Sequence, residues 1–129
     1  MMFESAGCRF DGAVDGDVVV GVRQFRDPDA GSLRDHCGIN KAIQLRIIDN
    51  SKFLDLAREV EDLVKSDVER VVFMCKSGRH RSVACAEIFA GIYGGVAVHR
   101  HEPRCRHNCA ACKAPLRADV LTWARARLD

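Results

Sequence analysis

The sequence V-V-F-M-C-K-S-G-R-H-R-S occupies residues 71–82 of the 129-residue chain and is its most informative segment. Its first half is a short run of β-branched and aromatic residues, which is typical of a buried strand. Gly78 then allows a tight turn, and residues 81–93 have the apolar spacing of a helix that ends at Gly94 and Gly95. The stretch therefore predicts a strand, a glycine-containing loop and a helix.

Further strands and helices are predicted on both sides of this stretch. Residues 17–22, 70–75 and 96–99 are apolar, β-branched runs that predict strands, and a helix is expected from about residue 51, capped by Asp49, Asn50 or Ser51. The apolar positions of that helix are Phe53, Leu56, Ala57, Val60, Leu63 and Val64. Apolar strands that alternate with helices indicate a parallel sheet. We therefore expect an α/β single domain with a short, mostly parallel sheet covered by helices.

Two segments differ in character from the rest. Residues 23–38 contain Pro28, Gly31 and several aspartates, which predicts a long loop after the first strand. After Pro103 a Cys/His/Arg-rich stretch leads into an amphipathic helix expected over residues 116–128. We therefore expect an α/β domain over residues 1–102 and a Cys/His-rich C-terminal extension with a terminal helix over residues 103–129.

The composition excludes several classes of protein. An apolar content of 47% with 29% charged residues is that of a soluble globular chain rather than a disordered one. No apolar run approaches the roughly 20 residues of a membrane span, and the N-terminus has no secretory signal pattern. We therefore expect a cytoplasmic protein without a membrane partner. Monomeric and oligomeric states are both compatible with the sequence.

The cysteines and the charges are unevenly distributed. Seven cysteines without a secretory signal favour free thiols, metal ligation or catalysis over disulfides. Residues 97–129 carry seven basic residues against three acidic ones, whereas residues 1–96 are slightly acidic. The basic end is compatible with a polyanionic partner and equally with an ordinary solvated surface.

The loop after the central strand has the chemistry of an anion site. It follows the carboxyl end of a strand, where parallel sheets bind ligands, and precedes a helix N-terminus, where N–H groups and the helix dipole favour negative charge. The candidate ligand-binding residues are Arg23, Asp29, Lys76, Ser77, Gly78, Arg79, His80, Arg81 and Ser82. Arginine in particular can hold phosphate through two hydrogen bonds.

The same loop resembles the Cys-x5-Arg-Ser loop of protein tyrosine phosphatases. Cys75, Gly78, Arg81 and Ser82 match that pattern. The resemblance implies that Cys75 acts as a thiolate nucleophile and that Arg81 binds the transferred phosphoryl group. Met74 replaces the histidine usual before the cysteine, and the structural alternative is that Cys75 is a small buried residue at the end of a strand.

A second resemblance extends from about residue 17 to residue 101. The stretches D-V-V-V-G-V-R-Q-F-R-D-P-D at 17–29, S-L-R-D-H-C-G at 32–38, C-K-S-G-R-H-R-S-V-A-C-A-E at 75–87 and V-H-R-H at 98–101 resemble the C-terminal domain of the bacterial RNase adapter protein RapZ. That family's loop reads G-C-T-G-G-x-H-R-S-V. The matching residues in this chain are Cys75, Gly78, His80, Arg81, Ser82 and Val83.

This resemblance implies a binding domain that takes a hexosamine phosphate in the loop and a structured small RNA on basic surfaces. The family's full-length proteins also have a P-loop ATPase domain, but no G-x-x-x-x-G-K-[ST] occurs in these residues, so nucleotide binding is not carried over. Asp29 stands where the family has histidine, and Lys76-Ser77 replaces Thr-Gly. These differences leave the identity of the phosphorylated ligand open.

The C-terminal stretch contains candidate metal and RNA contacts. Cys105, Cys109 and Cys112 with one nearby histidine, His99, His101 or His107, offer the ligands of a tetrahedral zinc site, and we take His101 as the fourth ligand. The alternative is a reduced cysteine-rich loop without metal. If RNA is a partner, the expected phosphate contacts are Arg100, Arg104, Arg106 and Lys113.

Three interpretations thus follow from the sequence. The extent of the second resemblance favours a non-catalytic binding domain for a phosphorylated small molecule, RNA or both. A small cysteine-dependent phosphatase that uses Cys75 and Arg81 is the alternative. A zinc-stabilised interaction module is the third interpretation.

Overall fold

The chain folds around a parallel sheet. The computed structural model describes residues 1–11, 18–23, 25, 33, 35–106, 109–113 and 118–129. Within these residues the strands are β1 (Met2–Gly7), β2 (Val18–Gly21), β3 (Arg70–Cys75) and β4 (Val96–His99). They pair in the order β2-β3-β1-β4, and each pairing is parallel. The predicted α/β class with a short parallel sheet is confirmed.

Helices cover the sheet. They are α1 (Cys8–Asp11), α2 (Lys41–Asp49), α3 (Phe53–Val64), α4 (Arg81–Tyr93) and α5 (Ala118–Leu128), with a 3₁₀ turn at Ala110–Cys112. Helix α4 packs on the two central strands, β1 and β3, and also contacts α2 and α5. Because α4 packs across the centre of the sheet, the core fixes the position of its N-terminus and of the loop before it.

Stacked aromatic rings form the middle of the core. Phe73 of β3 stacks on Phe3 of β1 and on Phe89 of α4, with ring centroids 6.3 and 5.5 Å apart. Phe53 of α3 continues the stack from Phe89 at 5.8 Å. Val120 and Ala124 of α5 are fully buried in the same core. The C-terminal helix therefore shares its hydrophobic core with the sheet domain.

Several predicted elements agree with the structure. The predicted bounds 70–75, 81–93 and 96–99 are those of β3, α4 and β4. Gly94, in the left-handed conformation at φ 73°, ends α4 as expected. The last helix is described from residue 118, and residues 116 and 117 of the predicted helix lie outside the described part of the chain.

Other elements were not predicted. Strand β1 and helix α2 have no counterpart in the sequence-based assignment. The side chain of Asn40 caps α2 by accepting a hydrogen bond from the Ala42 N–H at 2.9 Å. The N-cap of α3 is Lys52, without a side-chain cap hydrogen bond, so the predicted caps Asp49, Asn50 and Ser51 are wrong. The Asn50 side chain instead accepts the Lys52 N–H at 2.9 Å in the turn before the helix.

The parallel pairing places the strand ends at one edge of the sheet. Gly7 pairs with Cys75, and Ser5 pairs with His99, so β1, β3 and β4 end close together. The loop after β3, helix α1 after β1 and the segment after β4 therefore meet at the carboxyl edge, where parallel sheets place their ligands. Within the described residues, no helix has the length and apolar character that a membrane crossing requires.

Candidate functional site

The loop of residues 75–82 is wound tightly around the thiol of Cys75. Gly78 adopts φ 70° and donates its N–H to the Cys75 sulfur at 3.3 Å. The Cys75 S–H donates in turn to the Ser82 Oγ at 3.1 Å. Cys75 is 2% exposed and Ser82 is fully buried. The thiol thus organises the loop from inside, and the loop's outer residues Lys76, Ser77 and Arg79 reach solvent.

Two glycines allow the loop to press against its neighbours. A Cβ on Gly7, at the end of β1, would lie 2.6 Å from the Gly78 nitrogen and 2.7 Å from the Ser77 carbonyl oxygen. A Cβ on Gly38 would lie 2.7 Å from the Val83 Cβ and would also strike backbone atoms at the start of α4. Glycine at both positions lets backbone meet backbone, which fixes the loop between β1 and the segment before α2.

Arg81 holds the loop to the segment after β2. The guanidinium Nη1 donates to the carbonyl oxygens of Arg23 at 3.1 Å and Phe25 at 3.3 Å, and the residue is 7% exposed. His80, just before it, is 4% exposed. Strand β2 is a neighbour of β3, so Arg23 at the end of β2 lies next to the loop, as expected. Arg23 is exposed to solvent.

A cationic cavity of about 410 Å³ lies on the other side of the loop. The residues that line it are Ser77, Gly78, Arg79, His101, Glu102, Arg104, Cys105 and Arg106. One wall is the tip of the loop, and the other is the segment that follows β4. Three of these residues are arginines, and one is acidic, so the charge of the lining favours an anionic ligand.

An aspartate–histidine pair lies beside the cavity, which His101 lines. The Asp11 carboxylate lies 2.9 and 3.0 Å from the His101 Nε2 through its two oxygens and accepts the Gly7 N–H at 2.7 Å. Burial alone would raise the pKa of Asp11, but the Gly7 N–H, His101 and Arg100 together hold that pKa below its usual value. The pair joins the end of β1 to the segment after β4.

A second cluster of functional side chains adjoins the cavity. His36, Cys105, Cys109 and Cys112 bring one nitrogen and three sulfur atoms within 4.8 Å of one another. The His36 Nδ1 lies 3.3 Å from the Cys105 Sγ and 3.2 Å from the Cys112 Sγ. We refer to these four residues as the Cys₃His cluster.

The donor set of the Cys₃His cluster fits a zinc ion. Tetrahedral zinc binds cysteine sulfur at about 2.3 Å, which separates neighbouring ligand atoms by about 3.8 Å. The two distances from the His36 Nδ1 to cysteine sulfur are shorter, at 3.2 and 3.3 Å, and all four ligand atoms lie within 4.8 Å of one another, so small side-chain shifts would bring them around one ion. Asn40 also donates its side-chain N–H to the Cys112 sulfur at 3.4 Å, which is the type of outer contact that orients a metal ligand.

The cysteines of the cluster repel one another when they are deprotonated. The largest cause of the raised pKa of Cys109 is a hydrogen bond with Cys105, and nearby Cys112 raises the pKa of Cys109 further. Burial raises the pKa of the adjacent Cys37 to about 11. A divalent cation would remove this mutual repulsion, and its binding would release protons from the thiols.

The predicted site residues occupy different parts of this region. The three cysteines assigned to a metal site lie together, but the histidine beside them is His36, whereas the assigned His101 contacts Asp11. His36 precedes α2 and is far from the cysteines in sequence, so ligand spacing could not identify it. Asp29 and His107 lie outside the described residues.

The four basic residues assigned to RNA have varied surroundings. Arg100 pairs with Glu4 at 3.1 Å, Arg104 with Glu102 at 3.0 Å and Arg106 with Asp35 at 3.4 Å. Lys113 is exposed next to the 3₁₀ turn. Arg104 and Arg106 line the cavity, whereas Arg100 lies beside β1 through its pairing with Glu4.

A serine–histidine–glutamate chain lies within the sheet region. The Ser5 Oγ is 2.7 Å from the His99 Nδ1, and the His99 Nε2 is 2.8 Å from a Glu87 carboxylate oxygen. Hydrolases use the same residue types, but Ser5 is fully buried, so its hydroxyl cannot meet a substrate. The chain fastens β1 to β4 and α4.

Comparison with known protein families identifies the family of this chain. No curated protein matches the chain by sequence. The RapZ C-terminal domain family matches residues 1–108. The match includes the whole sheet, the 75–82 loop, His36 and Cys105, and it ends before Cys109 and Cys112. Because it spans most of the chain and contains every strand described above, the chain belongs to the RapZ C-terminal domain family.

Proposed function

We propose that this protein is a non-catalytic binding domain that takes a phosphorylated small molecule of the sugar-phosphate type. The ligand binds between the tip of the 75–82 loop and residues 101–106. Membership of the RapZ C-terminal domain family supports a binding role in general. The observation that carries the specific proposal is the 410 Å³ cavity lined by Arg79, Arg104 and Arg106.

The size and charge of the cavity suit this class of ligand. Small-molecule sites are typically a few hundred Å³ in volume and contain a few well-placed polar groups. Arg79 is anchored by hydrogen bonds to the carbonyl oxygens of Asp35 at 2.9 Å and Arg104 at 3.3 Å. An anchored guanidinium loses little freedom when it binds phosphate, which favours affinity.

The geometry favours binding over phosphatase chemistry. A nucleophilic cysteine must meet the phosphorus atom, but Cys75 is 2% exposed and its S–H is directed to Ser82. A transition-state arginine must face the phosphoryl group, but the Arg81 Nη1 is used by the carbonyl groups of Arg23 and Phe25. Both residues therefore support the loop from within, whereas the half-buried Arg79 lines the cavity and is the better ligand contact.

A small ligand is also favoured over RNA as the primary partner. Arg100, Arg104 and Arg106 each have an acidic partner, which reduces the positive potential available to a long polyanion. Trp123 of α5 is 50% exposed, but its Nε1–H donates to the Asp49 carboxylate at 2.7 Å, away from the cavity. RNA contact by Arg104, Arg106 and Lys113 is a second proposal, tested by the salt dependence of RNA binding.

We further propose that the Cys₃His cluster holds a structural zinc ion. Three thiolates and one imidazole are a common ligand set for structural zinc, and four protein ligands leave no open position for catalysis. Metal analysis of the purified protein tests this directly. We expect one zinc per chain, its loss in Cys109→Ser, and no change in the control Cys8→Ser, whose exposed thiol lies outside the cluster.

Calorimetric titration with a hexosamine phosphate, and with the same sugar lacking phosphate, tests the binding proposal. We expect saturable binding that requires the phosphate. Arg79→Ala should weaken it about tenfold or more, because a hydrogen bond to a charged group contributes about 1.5–3 kcal/mol. Arg58→Ala is the matched control, since Arg58 is a 76% exposed side chain on α3. Equal affinity for the two sugars, or an effect of both variants alike, would contradict the proposal.

A further inference from the structure

The Cys₃His cluster and the anion cavity share a wall. Cys105 belongs to the cluster and also lines the cavity. Its two neighbours in sequence, Arg104 and Arg106, line the cavity as well. Any ion that fixes the Cys105 sulfur therefore fixes the backbone from which both arginines project.

The other wall of the cavity is tied to the same cluster through backbone hydrogen bonds. Asp35, which precedes His36, accepts the Arg79 guanidinium at 2.9 Å and the Arg106 N–H at 2.9 Å through its carbonyl oxygen. The Gly38 N–H donates to the Arg79 carbonyl oxygen at 2.9 Å. The segment that contributes His36 thus holds both the tip of the loop and the arginine-bearing segment.

The segment after β4 buries few apolar side chains and is held by polar contacts such as His101 with Asp11 and Arg106 with Asp35. Among the residues of 101–113 whose burial the structure describes, Cys112 alone is buried, and residues 101–106, 109, 110 and 113 are exposed or half-buried. A segment with so few buried apolar contacts has a low free energy of local unfolding. A metal that links it to His36 would add a strong constraint to these polar contacts.

On this basis we propose that metal binding at the Cys₃His cluster assembles the anion pocket, so that zinc and a phosphorylated ligand bind with positive cooperativity. The inference rests on the proposed binding function and adds its regulation by metal. Three thiolates, a neutral imidazole and Zn²⁺ carry one net negative charge. Relative to three protonated thiols this is a change of one negative charge, which alone disfavours an anion, and we expect the ordering of the arginine-bearing segment to outweigh it.

Thermodynamic linkage supplies a two-sided test. Couplings between sites are commonly 5–150-fold, and the effect of one ligand on the other must equal the reverse effect. We expect the hexosamine phosphate to bind about tenfold more tightly to zinc-loaded protein than to protein stripped with a chelator. Zinc affinity, measured by competition with a chromophoric chelator, should rise by the same factor when the sugar phosphate is saturating.

Variants separate the coupling from the binding function itself. Cys109→Ser, in a cluster residue that does not line the cavity, should weaken sugar-phosphate binding as chelation does and should no longer respond to zinc. Cys8→Ser should behave as wild type, although the Cys8 thiol lies 3.9 Å from the Lys76 carbonyl oxygen, because serine retains a donor there. A far-ultraviolet dichroism spectrum and a melting curve establish that each variant is folded. Chelation and zinc re-addition in the wild type provide the same comparison without a mutation.

The outcomes distinguish the two proposals. If wild-type protein binds sugar phosphate equally well with and without stoichiometric zinc, the coupling is refuted and the binding function stands. If it binds zinc but no sugar phosphate under either condition, both are refuted. Protein that binds sugar phosphate but no zinc also refutes the coupling. Matched gains in both affinities support it.

Discussion

Substitution of Gly7 provides a sharp test of how the loop is held. In Gly7→Ala the new methyl carbon would lie 2.6 Å from the Gly78 nitrogen, whereas ordinary contacts begin at 3.4 Å. The loop must therefore move by at least about 0.8 Å relative to β1, and no flexible side chain can absorb that shift. Overpacking of this kind typically costs about 1–3 kcal/mol of stability.

The displaced atoms belong to the loop that forms one wall of the cavity. A shift of this size would disturb the hydrogen bond from Gly78 to the Cys75 sulfur and move the backbone that carries Arg79. Misplaced binding groups lose a large share of their interaction energy. We expect Gly7→Ala to weaken hexosamine phosphate binding about tenfold or more, which corresponds to about 1.4 kcal/mol.

Gly21→Ala is the matched control for this experiment. Gly21 also ends a strand, but a Cβ there would have no heavy atom within 4 Å. The substitution should leave affinity unchanged and alter stability by less than about 1 kcal/mol. Chemical denaturation and calorimetric titration of both variants measure the two effects. Wild-type affinity and stability in Gly7→Ala would refute the claim that close backbone contact with β1 positions the loop.

Three further predictions concern other parts of the site. Because the pKa of Asp11 is depressed in the folded state, its stabilising effect is present above the unfolded pKa and lost as pH falls through the folded pKa. The melting difference between wild type and Asp11→Asn should therefore be full above about pH 5 and vanish at strongly acid pH, and a constant difference would contradict this. Chelation of zinc bound at about a thousandfold excess over its Kd should remove about 4 kcal/mol and lower the melting temperature of this 129-residue chain by about 15 °C, whereas an unchanged melting curve would argue against a structural metal. Neither the wild type nor Cys75→Ser should hydrolyse an aryl phosphate. A rate that depends on Cys75 would support the phosphatase alternative.

The fold was predictable where local signals and tertiary structure agree. Strand β3 is a continuous apolar run, and helix α4 ends at Gly94, so their limits could be read from residue types alone. Strand β1 consists of Met-Phe-Glu-Ser-Ala-Gly, which contains few residues that favour strands. It is a strand because it lies between β3 and β4 and completes the hydrogen bonds of both, a tertiary effect that its sequence does not contain.

Helix α2 was not predicted, although its sequence contains a cap residue and a helical apolar pattern. Asn40 is a good N-cap residue, and Ile43, Ile47 and Ile48 have helical spacing and are buried. The long loop assigned to residues 23–38 ends just before this helix. The pattern could therefore have identified α2, and with it the backbone that places His36.

The candidate site was predictable in composition but only partly in arrangement. The 75–82 loop and the three cysteines carry sequence patterns of their own. The pairing of His101 with Asp11, and of His36 with the cysteines, depends on how β1 and β4 place their following segments at one edge of the sheet. Arg79 and Arg81 were both predicted as ligand contacts, but the Arg81 Nη1 donates to backbone carbonyl groups, whereas Arg79 lines the cavity, a difference that residue types alone do not show.

Amide chemical shifts in ¹⁵N-labelled protein, followed during titration with a hexosamine phosphate, would show where the ligand binds. Binding in the cavity predicts saturable shifts concentrated at residues 77–79 and 101–106, with inorganic phosphate affecting the same amides at higher concentration. The amides of Val19 and Val96, exposed on the two edge strands, should remain unchanged. The absence of shifts at millimolar ligand, or shifts confined to residues outside the cavity, would contradict the assignment of this pocket as a phosphorylated-ligand site.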